Sequence, residues 1–142
     1  MAKEIIEKKL HQLALIIRRL AILLECPFTD FKNNERDIAA SERNFQLIVD
    51  FTCDINSQIL FENDDVASDT YVQSFLSMSK IKIIPYELAQ VLAEGAKLRN
   101  ILVHEYDFIK SDEKFYDSAK RILPAYEEYA RAIYAYIEKK TD

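Results

Sequence analysis

The chain has 142 residues, 49% of them hydrophobic and 30% charged, with a net charge of −5, the profile of one ordinary soluble domain spanning 1–142. Gly95 is its only glycine, which excludes a P-loop and a glycine-rich dinucleotide fingerprint, and with them the commonest nucleotide-binding enzymes. Acidic side chains outnumber basic ones over residues 1–75, and the two nearly balance over 76–121, so an RNA site would have to be a local patch and not a global field.

In the first segment Ile6, Leu10, Leu13, Ile17, Leu20 and Leu24 recur at alternating spacings of four and three. That pattern is the core stripe of a long helix, stopped by Pro27. Residues 28–34 read as a polar link. A second long helix carries Ile38, Phe45, Ile48, Thr52, Ile55 and Ile59 on one face, and Glu62-Asn63-Asp64-Asp65 forms its solvated end and the following loop. Thr70-Tyr71-Val72-Gln73 has the form of a capping box opening a short helix to about Met78, since a threonine and a glutamine three residues apart can satisfy two free amides. Lys80-Ile81-Lys82-Ile83-Ile84 has no partner strand and reads as a connection. Pro85 and Glu87 suit the first turn of a fourth helix ending near His104, where a fixed φ and a negative charge are both favoured. Ser111-Asp112-Glu113 opens a last helix with Ile122, Tyr126, Tyr129, Ile133 and Tyr136 on its apolar face, and Pro124 is expected to kink or divide it.

Four long amphipathic helices and one short one imply an all-α fold, an antiparallel helix bundle in which each stripe is buried against the others. Cys26 and Cys53 lack CxxC spacing and read as buried thiols in a reducing cytoplasm. No apolar run reaches membrane-spanning length and MAKEIIEKKL does not resemble a signal peptide, so a cytoplasmic protein without a membrane partner is expected. No set of histidine, cysteine and carboxylate residues has metal-ligand spacing, and no cofactor is expected. Ala89, Ala93, Gly95 and Ala96 put small side chains on the fourth helix, suited to close approach of another helix within the chain or across a dimer. His11, without a ligand cluster, reads as structural, and the pair Glu42-Arg43 as surface charge.

The chemistry concentrates in Lys97-Leu98-Arg99-Asn100-Ile101-Leu102-Val103-His104-Glu105-Tyr106. At about 100° per helical residue, Asn100 and His104 share a face, while Arg99 lies roughly 140° from His104. Both could serve one site if the helix end unwinds or if a partner subunit supplies the opposite wall. Histidine exchanges protons near neutral pH and arginine offers phosphate a fixed fork of donors. Cleaving RNA without a metal needs a base for the ribose 2′-hydroxyl, positive charge on the phosphorane, and an acid for the leaving 5′-oxygen. By spacing alone a bland reading also stands: a histidine favoured by the helix dipole, and a surface arginine.

An arginine, four residues, a histidine, one residue and a tyrosine form the signature that this segment shares with a known family. Together with Ser74-Phe75-Leu76, Ile83-Ile84-Pro85 and Glu87-Leu88-Ala89, it makes the chain resemble the HepT-like branch of the HEPN superfamily. The resemblance implies the toxin of a type VII toxin–antitoxin pair, a dimeric, metal-independent endoribonuclease. Arg99 and His104 would be the catalytic pair and Asn100 a supporting polar group. Tyr106 would be the tyrosine that a minimal nucleotidyltransferase antitoxin, of the MntA kind, modifies with AMP; its bland reading is an aromatic side chain packed at a helix end. Two rivals remain: a non-catalytic module binding RNA or nucleotide beside a nucleotidyltransferase, and a structural subunit whose motif stabilises a dimer.

Overall fold

A computed structural model describes residues 2–63, 70–104 and 111–139, and every regular element among them is an α-helix. In chain order these are α1 (Ala2–Leu23), α2 (Phe28–Phe31), α3 (Glu35–Glu62), α4 (Tyr71–Lys80), α5 (Tyr86–His104) and α6 (Asp112–Lys139). The four long helices form the expected antiparallel bundle, with α1 against α3 and α6, and α5 against α3, α4 and α6. Ion pairs join neighbouring helices: Lys9 of α1 meets Asp54 of α3 at 3.5 Å, and Glu94 of α5 meets Arg121 of α6. No helix among the described residues is long and apolar enough to cross a membrane.

The apolar spacing accounts for the packing. The five stripe residues of α1 from Ile6 to Leu20 are buried, as are Leu24 just past its end, Phe45, Ile48, Thr52, Ile55 and Ile59 of α3, and Ile122, Tyr126, Tyr129 and Ile133 of α6. Helix starts follow the side-chain oxygens: Asn34 accepts from the Asp37 amide, Thr70 from the Gln73 amide and Ser111 from the Lys114 amide, each at 3.1 Å. Residues 81–84 form a connection, one residue shorter than expected because α4 runs to Lys80; Lys82 (φ 64°) lets the Ile83 amide reach back to the Met78 carbonyl at 3.0 Å, a left-handed close of the helix.

Two expectations need correction. Residues 28–34 are not simply a polar link, because Phe28–Phe31 form one helical turn whose Phe31 is buried against Tyr116, ring centroids 5.0 Å apart. The Tyr116 hydroxyl also donates to the Cys26 carbonyl, fastening α6 to this turn. Pro124 does not divide α6, which runs unbroken for 28 residues. Pro124 and Lys120 are both exposed, so the carbonyl freed by the proline faces water, while buried neighbours hold the helix in place.

A buried polar chain seats α4. The Tyr129 hydroxyl donates to Asn56 Oδ1 at 2.6 Å, Asn56 Nδ2 donates to Ser74 Oγ at 3.0 Å, and Ser74 Oγ donates to the Tyr71 carbonyl at 2.8 Å. Cys53 lies beside this chain, and burial pushes its thiol up to about 12, so it is held neutral. Cys26 is only half-buried.

The small residues of α5 serve contacts within the chain. A Cβ at Gly95 would lie 2.5 Å from the Tyr126 hydroxyl oxygen. That hydroxyl donates to the Leu92 carbonyl at 2.9 Å, and the ring stands edge-on to Phe45 and Phe75. A fully buried ring so held has nowhere to retreat. Gly95→Ala is therefore expected to lower stability by about 1–2 kcal/mol, overpacking outweighing the helix propensity gained. Chemical denaturation would show it, and a variant as stable as wild type would contradict the tight contact.

Candidate active site on the last turns of α5

Leu88, Ala89, Leu92, Ala96 and Leu102 bury one side of α5 in the core, which fixes where its polar residues point. Arg99 is half-buried toward α3 and α4. Its Nε donates to Asp50 Oδ1 at 3.0 Å, and its Nη2 lies 3.0 Å from the same oxygen. The guanidinium carbon sits 4.9 Å from the centroid of the Tyr71 ring, and Nη1 reaches Asn100 Oδ1 at 3.4 Å. Burial first, and then the Asp50 carboxylate, raise the Tyr71 phenol above its usual pKa, keeping it neutral beside the arginine.

His104, the last residue of α5, is exposed. Together with Lys97, Asn100 and Ile101 it lines an open depression of about 360 Å³. The helix does not unwind before His104, so Asn100 and His104 share a face as the spacing predicted and Arg99 points elsewhere. Asn100 is the link between them, lining the depression while accepting from Arg99. Tyr106 lies outside the described residues. Chemically, the arrangement offers a proton-exchanging ring, an ammonium and an amide along one open strip, backed by a guanidinium already fixed in direction.

Sequence reasoning missed Asp50, Tyr71 and Lys97. Lys97 could have been found, because it precedes His104 by seven residues and falls on the same face. Asp50 and Tyr71 reach Arg99 only through the folding of α3 and α4, and no local pattern announces them. The other histidine, His11, is exposed beside a groove between α1 and α6, and Arg43 bonds Gln46 on the surface of α3 at 3.4 Å.

The antiparallel bundle of four long helices, with the shorter α2 and α4 packed beside it, is a fold shared with solved proteins. The fold matches that of a tri-AMPylated HEPN toxin of Shewanella oneidensis solved in complex with an MNT antitoxin, at a TM-score of 0.82 and 21% identity over 92% of this chain and 97% of that one. It also matches YutE, a cytosolic protein of unknown function from Bacillus subtilis, at 0.79 and 16% identity over 95% and 92% of the two chains. More specifically, the chain belongs to the ribonuclease HepT-like family, whose model matches residues 4–133. Over 133 residues it is 32% identical to the tRNA nuclease HepT of Aphanizomenon flos-aquae, covering 94% of this chain and 90% of that one.

Proposed function

We propose that the protein is the toxin of a type VII toxin–antitoxin pair, a metal-independent endoribonuclease in which Arg99 and His104 cut RNA in the cytoplasm. The carrying observation is the strip of Lys97, Asn100 and His104, joined through Asn100 to an Arg99 already fixed in direction. Membership in a ribonuclease family and the kinship with a tRNA nuclease support the reading, and make tRNA the substrate to try before others. His104 takes the proton of a ribose 2′-hydroxyl, whose oxygen attacks phosphorus. Arg99 stabilises the phosphorane, and the bond to the 5′-oxygen breaks as that oxygen takes a proton from protonated His104, leaving a 2′,3′-cyclic phosphate, a 5′-hydroxyl and neutral His104.

Because α5 stays helical to its end, one copy presents His104 and Arg99 in different directions. A homodimer that sets the two strips face to face completes the proposed site, each copy supplying the wall the other lacks. Ile101, 45% exposed beside the depression, gives that face an apolar centre. The partner is a minimal nucleotidyltransferase, as MNT is for the Shewanella toxin, and its target here is Tyr106, two residues beyond His104. AMP on Tyr106 adds bulk and negative charge two residues beyond His104 in the sequence, and competes with substrate phosphate for Arg99. The whole chain, residues 1–142, is read as one such domain.

The test uses protein expressed without the nucleotidyltransferase, incubated with tRNA and mRNA in EDTA. The unmodified chain is expected to cleave, and the AMP-bearing chain is not. Tyr106→Phe is expected to cleave and to resist silencing. Folded, unmodified protein that cuts nothing in a broad RNA panel overturns the reading. It would leave the binding module, which the partial neutralisation of Arg99 by Asp50 favours, as the better account.

A further inference from the structure

We propose that Asp50 and Tyr71 are positioning residues for Arg99, holding its guanidinium in the orientation that cleavage requires; this rests on the ribonuclease reading above. Arginine carries five N–H donors in a rigid planar fork, so fixing one edge and one face fixes the direction of the rest. Here Asp50 Oδ1 sits 3.0 Å from both Nε and Nη2 and engages that edge. The Tyr71 ring covers a face, with 4.9 Å between its centroid and the guanidinium carbon. What remains is the Nη1 end, which lies 3.4 Å from Asn100 Oδ1 at the margin of the depression that His104 lines.

The three groups come from three helices. Arg99 belongs to α5, Asp50 to α3 and Tyr71 to the first turn of α4, so the clamp sets the arginine relative to the bundle and not only to its own helix. With side chains 17% and 32% exposed, the Arg99–Asp50 pair lies partly out of water, where screening weakens it less than a surface pair. Helix α3 therefore contributes to the site through Asp50. An arginine without this clamp would sample many rotamers, and few of them direct Nη1 past Asn100. Tyr71 itself is set by Ser74, whose hydroxyl donates to the Tyr71 carbonyl at 2.8 Å.

The experiment compares wild type with Asp50→Ala, Asp50→Glu, Tyr71→Ala and Tyr71→Phe in single-turnover RNA cleavage at saturating and limiting protein. Circular dichroism confirms that each is folded at the assay temperature. The expected result is a fall of about a hundredfold in the maximal rate constant for Asp50→Ala, with half-saturation little changed. Asp50→Glu and Tyr71→Phe, which keep the carboxylate and the ring, recover much of the rate lost in the alanine variants. The Arg99 Nε–H resonance, read in arginine-labelled protein, is expected to move in Asp50→Ala and so reports the clamp independently of activity. Wild-type cleavage with Asp50→Ala equally fast, or altered only in half-saturation, overturns the positioning role and leaves the ribonuclease reading standing. A wild type that cleaves no RNA overturns the ribonuclease reading and the positioning role with it.

Discussion

His104→Ala is expected to lower the maximal cleavage rate constant about a thousandfold, the size of a lost general base. Arg99→Ala is expected to cost a comparable factor through loss of charge stabilisation on the phosphorane. The two variants differ in what else they disturb. His104 is exposed at the end of α5, so its removal leaves the core untouched and the melting curve unchanged. Arg99→Ala removes the bonds to Asp50 and the contact with Tyr71, and the Asp50 carboxylate left behind is 32% exposed and still reached by water, for a cost of about 1–3 kcal/mol. Single-turnover cleavage beside thermal melts separates the effects: a large loss of rate with little loss of stability locates the chemistry. A His104→Ala protein that cuts RNA at the wild-type rate would remove the histidine from the mechanism.

Phe75→Ala should be among the most damaging single changes to the fold, destabilising it by about 3–5 kcal/mol. Phe75 has no exposed surface, and its ring stands edge-on to Tyr126 and Tyr129, with centroids 6.2 and 6.1 Å away. Truncation leaves a cavity between α4 and α6 and removes two edge-to-face contacts at once. The same change should reach the site, because α4 carries Tyr71 against Arg99. Urea unfolding followed by circular dichroism measures the stability, and cleavage assayed well below the transition measures the loosened clamp. A loss under about 1 kcal/mol would mean that the core closes over the gap.

The helices were legible because their cause is local. Four-and-three spacing from Ile6 to Leu24, a threonine at position 70 and a serine at 111 each act on residues within one or two turns, and each acts as expected in the fold. The turn at Phe28–Phe31 escaped notice because four residues carry no periodicity and polar neighbours surround its aromatic rings. Pro124 does not divide α6: its local cost is real, yet the buried faces on either side of it outweigh that cost. At the site, the grouping of Asn100 with His104 followed from helical geometry alone. The engagement of Arg99 by Asp50, 49 residues earlier in the chain, could not, because it depends on how three helices dock.

The close approach of Tyr126 to Gly95 carries a consequence for that docking. A phenol ring seated in the gap left by a missing side chain works as a key in a keyway, setting both the height of α5 and its rotational phase against α6. Gly95 stands one turn before Arg99, and a slip of one residue along the helix would swing every side chain beyond it by about 100°. The aim of the strip of Lys97, Asn100 and His104 is thus set from inside the hydrophobic core, by a ring on α6. A substitution at 126 that leaves the protein folded can still turn His104, and on the proposed function it would look like a catalytic mutant while lying in the core.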